Sequence, residues 1–83
     1  MRDKHTVEVI AANLRRLMHD RKEPFTQQSL AKAAHVQQSA ISRILNAQNE
    51  PSICILLRVC RALRVNILAL LDEETAEILE TVS

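Results

Sequence analysis

The 83-residue chain has no glycine, no tryptophan and no tyrosine, one aromatic residue, Phe25, and only two cysteines. Each absence closes a class of function. Without glycine there is neither a phosphate-cradling P-loop nor a dinucleotide-binding turn, since both need backbone that approaches a ligand with no Cβ in the way. With one ring in the chain there are no platforms on which the bases of a single strand could stack, so a nucleic-acid partner is expected to be duplex. Cys54 and Cys60 are too few for a disulfide framework and, on one helix, point in different directions, which fits a reducing cytoplasm. His5, His19 and His35 are scattered, with no HExxH or CxxC spacing, so no metal, no cofactor and no enzymatic activity are expected. No apolar run approaches the roughly 20 residues of a membrane-spanning helix, and the start, MRDKHTVEVI, lacks the pattern of a secretory signal. The expectation is a soluble, intracellular protein.

The composition that remains is 47% hydrophobic and almost wholly aliphatic, without the sustained alternation of a β-sandwich, and it predicts an all-α core. A chain this short makes one domain that buries only about 60% of its surface, so self-association would help it. The formal net charge of +1 hides an asymmetry. Residues 1–64 hold all eleven Lys/Arg against five acids, a formal +6, whereas residues 65–83 hold five acids and no base, a formal −5. The basic part is suited to face phosphate and the acidic tail to face away, unless the tail's composition is incidental.

Residues 26–46, TQQSLAKAAHVQQSAISRILN, organise the rest: two short helices joined by a tight turn. Thr26 is placed to cap the first helix, with Leu30, Ala31 and Ala34 as its apolar stripe. Read at about 100° per residue, the second helix puts Gln37, Ile41, Ile44 and Leu45 on one side and Ser39, Ser42, Arg43 and Asn46 on the other, with Gln38 between them at the start. An ordinary solvated face carries Glu and Lys; this one offers an amide, two hydroxyls and a guanidinium, which are partners for base edges and phosphates. Gln38, Ser39, Ser42 and Arg43 are the expected base contacts.

In these residues the chain resembles the Cro and phage-repressor type of helix-turn-helix regulator, from about residue 10 to 71. Gln27 stands where that family opens its first motif helix with Gln, Ala31 where the helices cross, and Leu30, Val36, Ile41 and Ile44 at its apolar positions. Asn46 ends the recognition helix; Glu50, Pro51 and Ser52 lead into a Leu-rich helix; Leu70 and Leu71 are the paired leucines of the last. The resemblance implies a five-helix, lambda-repressor-like domain over residues 1–71 with a short, acidic, helical extension over 72–83. It implies a sequence-specific transcriptional repressor of duplex DNA. Gln27, Gln37, Asn46, Gln48 and Lys32 are then the expected phosphate contacts, although Lys32, like Arg15, Arg16, Arg21 and Lys22, reads equally as a solvated helix face. The family commonly has Gly in the motif turn and after the fourth helix, where this chain has His35 and Arg64, so both are expected to need φ > 0 at roughly 1 kcal/mol each.

The remaining elements follow in order. A helix over residues 6–21, capped by Thr6, carries Ile10, Leu14, Leu17 and Met18 inward; Pro24 ends it and Phe25 plugs the core. Ser52 caps a fourth helix whose core arc reads as Ile53, Leu56, Leu57, Cys60 and Leu63, with Ile55, Val59 and Ala62 as a second apolar strip. Asn66 caps a fifth over residues 67–71, and a terminal helix carries Ile78, Leu79 and Val82. The second strip needs a cover. Either the chain's own terminal helix supplies it, or a homodimer forms through Ile55, Val59, Leu68, Ile78 and Leu79. At this length no separate sensing domain is expected, so occupancy of DNA should follow protein concentration or a protein partner such as a toxin or another regulator. An antitoxin, a restriction-modification controller and an interaction module that has lost DNA reading stay open beside the repressor.

Overall fold

Apolar residues spaced by three or four along the first segment, Val7, Ile10, Leu14 and Met18, are all buried, and they carry helix α1, Lys4–His19. The computed structural model describes residues 4–48 and 50–73, and there it contains four further helices and no strand: α2, Gln27–Ala34; α3, Gln38–Leu45; α4, Ile53–Leu63; and α5, Leu68–Leu71. Helix α1 begins before Thr6, so that threonine lies inside the first turn and is not the cap. It ends at His19 because the chain folds back, with the Phe25 N–H donating to the Met18 carbonyl at 2.9 Å. Phe25 packs half-buried against the core, with the Arg21 guanidinium 4.9 Å above its ring.

Thr26 and Ser52 cap α2 and α4 as the sequence predicts, whereas the N-cap of α5 is Ile67, which has no side-chain capping bond, and Asn66 stands one residue before it. The Thr26 hydroxyl accepts from the Ser29 N–H at 3.0 Å while the Thr26 N–H donates to Ser29 Oγ at 2.9 Å, a capping box closed by serine in place of glutamate. Ser52 Oγ accepts from the Ile55 N–H at 3.2 Å, and Asn66 Oδ1 from the Leu68 N–H at 2.9 Å. Helices α2, α3 and α4 also share one way of ending. His35, Ala47 and Arg64 take left-handed backbone with φ of 59°, 52° and 59°. In each case the next N–H returns to a carbonyl in the last turn: Val36 to Ala31 at 3.0 Å, Gln48 to Arg43 at 3.2 Å, Val65 to Cys60 at 3.0 Å. That double closure satisfies carbonyls the helix itself leaves open. His35 and Arg64 behave as their positions predict; Ala47 does so without any sequence signal.

Helix α1 packs on α3 and α5, and α2 packs on α3 and α4, around a core whose most enclosed members include Leu14, Leu30, Ile41, Val59, Leu63 and Leu70. Here α4 departs from expectation. Its buried arc is Leu56, Val59, Cys60 and Leu63, whereas Ile53 and Leu57 are 59% and 46% exposed. Val59 is wholly buried within its own chain and is thereby removed from the predicted dimer surface; Ile55 and Ala62 are half-buried against the core. Nearly every residue of α4 is apolar, so the helix had two usable arcs, and docking on α2 chose the one centred on Val59. Burial raises the Cys60 thiol pKa, as suits a small core residue. Ile78, Leu79 and Val82 lie outside the described residues.

One buried polar side chain was not anticipated. Asn13 on α1 is fully enclosed, and its Nδ2 donates to the Leu70 carbonyl at 2.8 Å and the Asp72 carbonyl at 3.0 Å. A helix of four residues cannot close its own carbonyl end, and Asn13 does so from another helix. Asn13→Ala leaves the buried Leu70 carbonyl without its donor and is expected to lower stability by about 1–3 kcal/mol in urea unfolding. A loss below about 0.5 kcal/mol, the level of an ordinary surface change, would show that Asn13 does not hold α5.

Candidate nucleic-acid interface

Helix α3 is held by Ile41, Ile44 and Leu45, all buried, and this turns Gln38, Ser39 and Arg43 out to solvent. Ser42 is half-buried, and its Oγ accepts from Asn46 Nδ2 at 3.3 Å, which links a predicted base contact to a predicted phosphate contact. Gln37, placed by helical periodicity on the packing side, is instead the exposed N-cap of α3 and makes no side-chain capping bond. Its Oε1 accepts from Ser39 Oγ at 3.4 Å. Gln27 and Lys32 are exposed on α2, and Gln48 is exposed beyond the end of α3.

The C-terminal ends of α3 and α4 are braced from elsewhere in the chain. Arg15 Nη2 on α1 donates to the Leu45 carbonyl at 3.2 Å, and Arg21 Nη2 does the same for the Leu63 carbonyl of α4 at 3.0 Å. Arg15 of α1 and Arg21 just beyond its end thus serve helix C-termini, where a cation is favoured by the helix dipole. Sequence reasoning could not reach this role, because the acceptors are backbone carbonyls 30 and 42 residues away.

At its other end α3 borders a groove of about 450 Å³ between the α2–α3 turn and α4, which brings together Gln37, Ser39 and Arg43 with His35 and Arg58. Arg58 is exposed on α4. Its Nη1 donates to the His35 carbonyl at 3.4 Å. A larger open groove, about 680 Å³, lies between α1 and the end of α3, but Glu8 and Asp20 line it together with Arg15, Arg16 and His19. Asn46, an expected phosphate contact, stands at its α3 edge, while the mixed charge on the α1 side offers no net attraction to a phosphate backbone.

Two helices crossing through a left-handed turn, the second presenting uncharged polar groups and an arginine outward, is the geometry of a major-groove reader. A helix-turn-helix family profile matches residues 25–70, more than half of the chain, from Phe25 to Leu70. The chain belongs to the Cro/C1-type helix-turn-helix family. It is therefore a DNA-binding regulator of this type, and the matched stretch spans α2, α3 and α4 and reaches into α5. The match covers every residue singled out above as a base or phosphate contact. No curated protein and no solved structure matches the chain. Among the described residues no helix is long and apolar enough to cross a membrane, and no three His, Cys, Asp or Glu side chains gather where they could hold a metal ion.

Proposed function

We propose that the protein is a sequence-specific transcriptional repressor that binds a pseudo-palindromic operator in duplex DNA as a homodimer. The exposed face of α3 carries this reading: Gln38, Ser39 and Arg43 face solvent from a helix that its buried residues and Arg15 hold in place. An amide pairs in two-point fashion with adenine and a guanidinium with guanine, so Gln38 and Arg43 supply base discrimination and Ser39 and Ser42 adapt to either. Gln27, Gln37, Asn46, Gln48 and Lys32 fix register on the backbone. A second copy of the chain covers the exposed apolar residues of α4 and α5. The repeated unit then presents two recognition helices to half-sites one turn apart.

Selection from random duplexes tests the reading, because a module that has lost DNA recognition recovers no motif. Arg43→Ala is expected to reduce affinity for the selected duplex by about 1–3 kcal/mol and to relax preference at one base position. Equal weakening on every sequence would assign Arg43 to the backbone instead.

A further inference from the structure

We propose that Arg58, on the fourth helix and outside the two motif helices, is a DNA-backbone contact: together with Arg43 it borders a notch that takes one phosphodiester of the duplex beside the recognition helix. This rests on the reading of the α3 polar face as the DNA-contacting face.

Packing of α4 on α2 brings Arg58 to the motif turn, where Nη1 donates to the His35 carbonyl at 3.4 Å. That bond is longer than the usual range of about 2.7–3.2 Å and engages one of five guanidinium N–H groups. Among the described residues the Arg58 guanidinium has no other partner, and Arg43 is in no ion pair. Both arginines line the same groove of about 450 Å³, together with Gln37 and Ser39, and no carboxylate lines it. Glu50 lines an adjoining groove with Arg43 but not this notch. Two guanidinium ions bordering one notch repel each other, and a phosphate between them reverses the sign of that interaction. Arg61, one turn further along α4, lines a neighbouring groove with Ala33, Ala34, Ala62, His35 and Arg58 itself, and that groove contains no residue of α3. It shares the helix, the charge and a groove with Arg58 but does not line the notch that holds Arg43, which makes it the control for charge near Arg58 away from α3.

The test uses the full chain. A duplex motif is selected with the wild type, and the affinity for that duplex and for a scrambled one is followed against salt for the wild type, Arg58→Ala, Arg58→Lys and Arg61→Ala. One phosphate contact contributes a slope of about 0.9 in log affinity against log salt. Arg58→Ala is expected to lower the slope by about that amount, to weaken both duplexes by the same factor and to leave the selected motif unchanged. Arg58→Lys is expected to keep the slope and Arg61→Ala to match the wild type. If Arg58→Ala loses its cooperative thermal unfolding, Arg58→Gln replaces it, because it removes the charge while keeping a donor for the His35 carbonyl. An unchanged slope, or a changed motif, overturns the assignment while the DNA reading stands. A wild type that selects no motif overturns both.

Discussion

Replacing His35, Ala47 and Arg64 together by glycine is expected to raise the stability of the folded chain by about 2 kcal/mol. The three residues hold left-handed backbone in a chain that has no glycine at all. For an L-residue that conformation costs roughly 1–2 kcal/mol through the clash of Cβ with the following carbonyl oxygen. Glycine removes the clash but returns about 0.5–1 kcal/mol as extra freedom of the unfolded chain, so each site gains about 0.5–1 kcal/mol. Ala47 should gain most and His35 least, since histidine tolerates this region better than most residues. The sites close three different helices, so their effects should add. Urea unfolding reads the sum as a higher midpoint at unchanged slope, and for a domain of this size the melting temperature rises by about 4–8 °C per kcal/mol. A triple variant no more stable than the wild type would mean that the Schellman closures relieve the strain by another route.

Leu57→Glu combined with Leu68→Glu is expected to split the proposed dimer and leave a folded monomer. Four large apolar residues of α4 and α5 are exposed in the single chain: Ile53 59%, Leu57 46%, Leu68 68% and Leu71 40%. Ile53 and Leu57 stand one turn apart on one helix, and Leu68 and Leu71 one turn apart on the other. Burying such side chains is worth about 1.5–3 kcal/mol each, and a second copy buries both sets at once. Ile55 and Val59 are poor targets for charge, because they pack within the chain and would report folding instead of association. In sedimentation the wild type should run as a dimer at micromolar concentration and the variant as a monomer with unchanged helix content. Footprints should shrink from two half-sites to one. Losing the linkage between half-sites should weaken operator binding by roughly 10²–10⁴-fold. A wild type that sediments as a monomer and protects one half-site would remove the dimer from the proposed function and leave the recognition helix in place.

What could be read in the linear sequence is local in origin. Thr26 and Ser52 act as caps because a short polar side chain bonds an N–H group three residues ahead, an interaction complete within one turn. The outward face of α3 follows from helical periodicity wherever apolar and polar residues are clearly segregated, as they are between Ile41, Ile44, Leu45 and Gln38, Ser39, Arg43. Left-handed closure at His35 and Arg64 was visible because the family resemblance marks those positions for glycine. The tertiary structure alone decided the rest. It selected which arc of the apolar helix α4 is buried, since burial depends on which neighbour docks there and periodicity offers two answers. It also decided that Asn13 closes α5 from 57 residues away, that Arg15 and Arg21 secure the ends of α3 and α4, and that Arg58 shares a groove with Arg43. In each case a long side chain or buried amide meets a group distant in the chain, and that meeting exists only once the helices have packed.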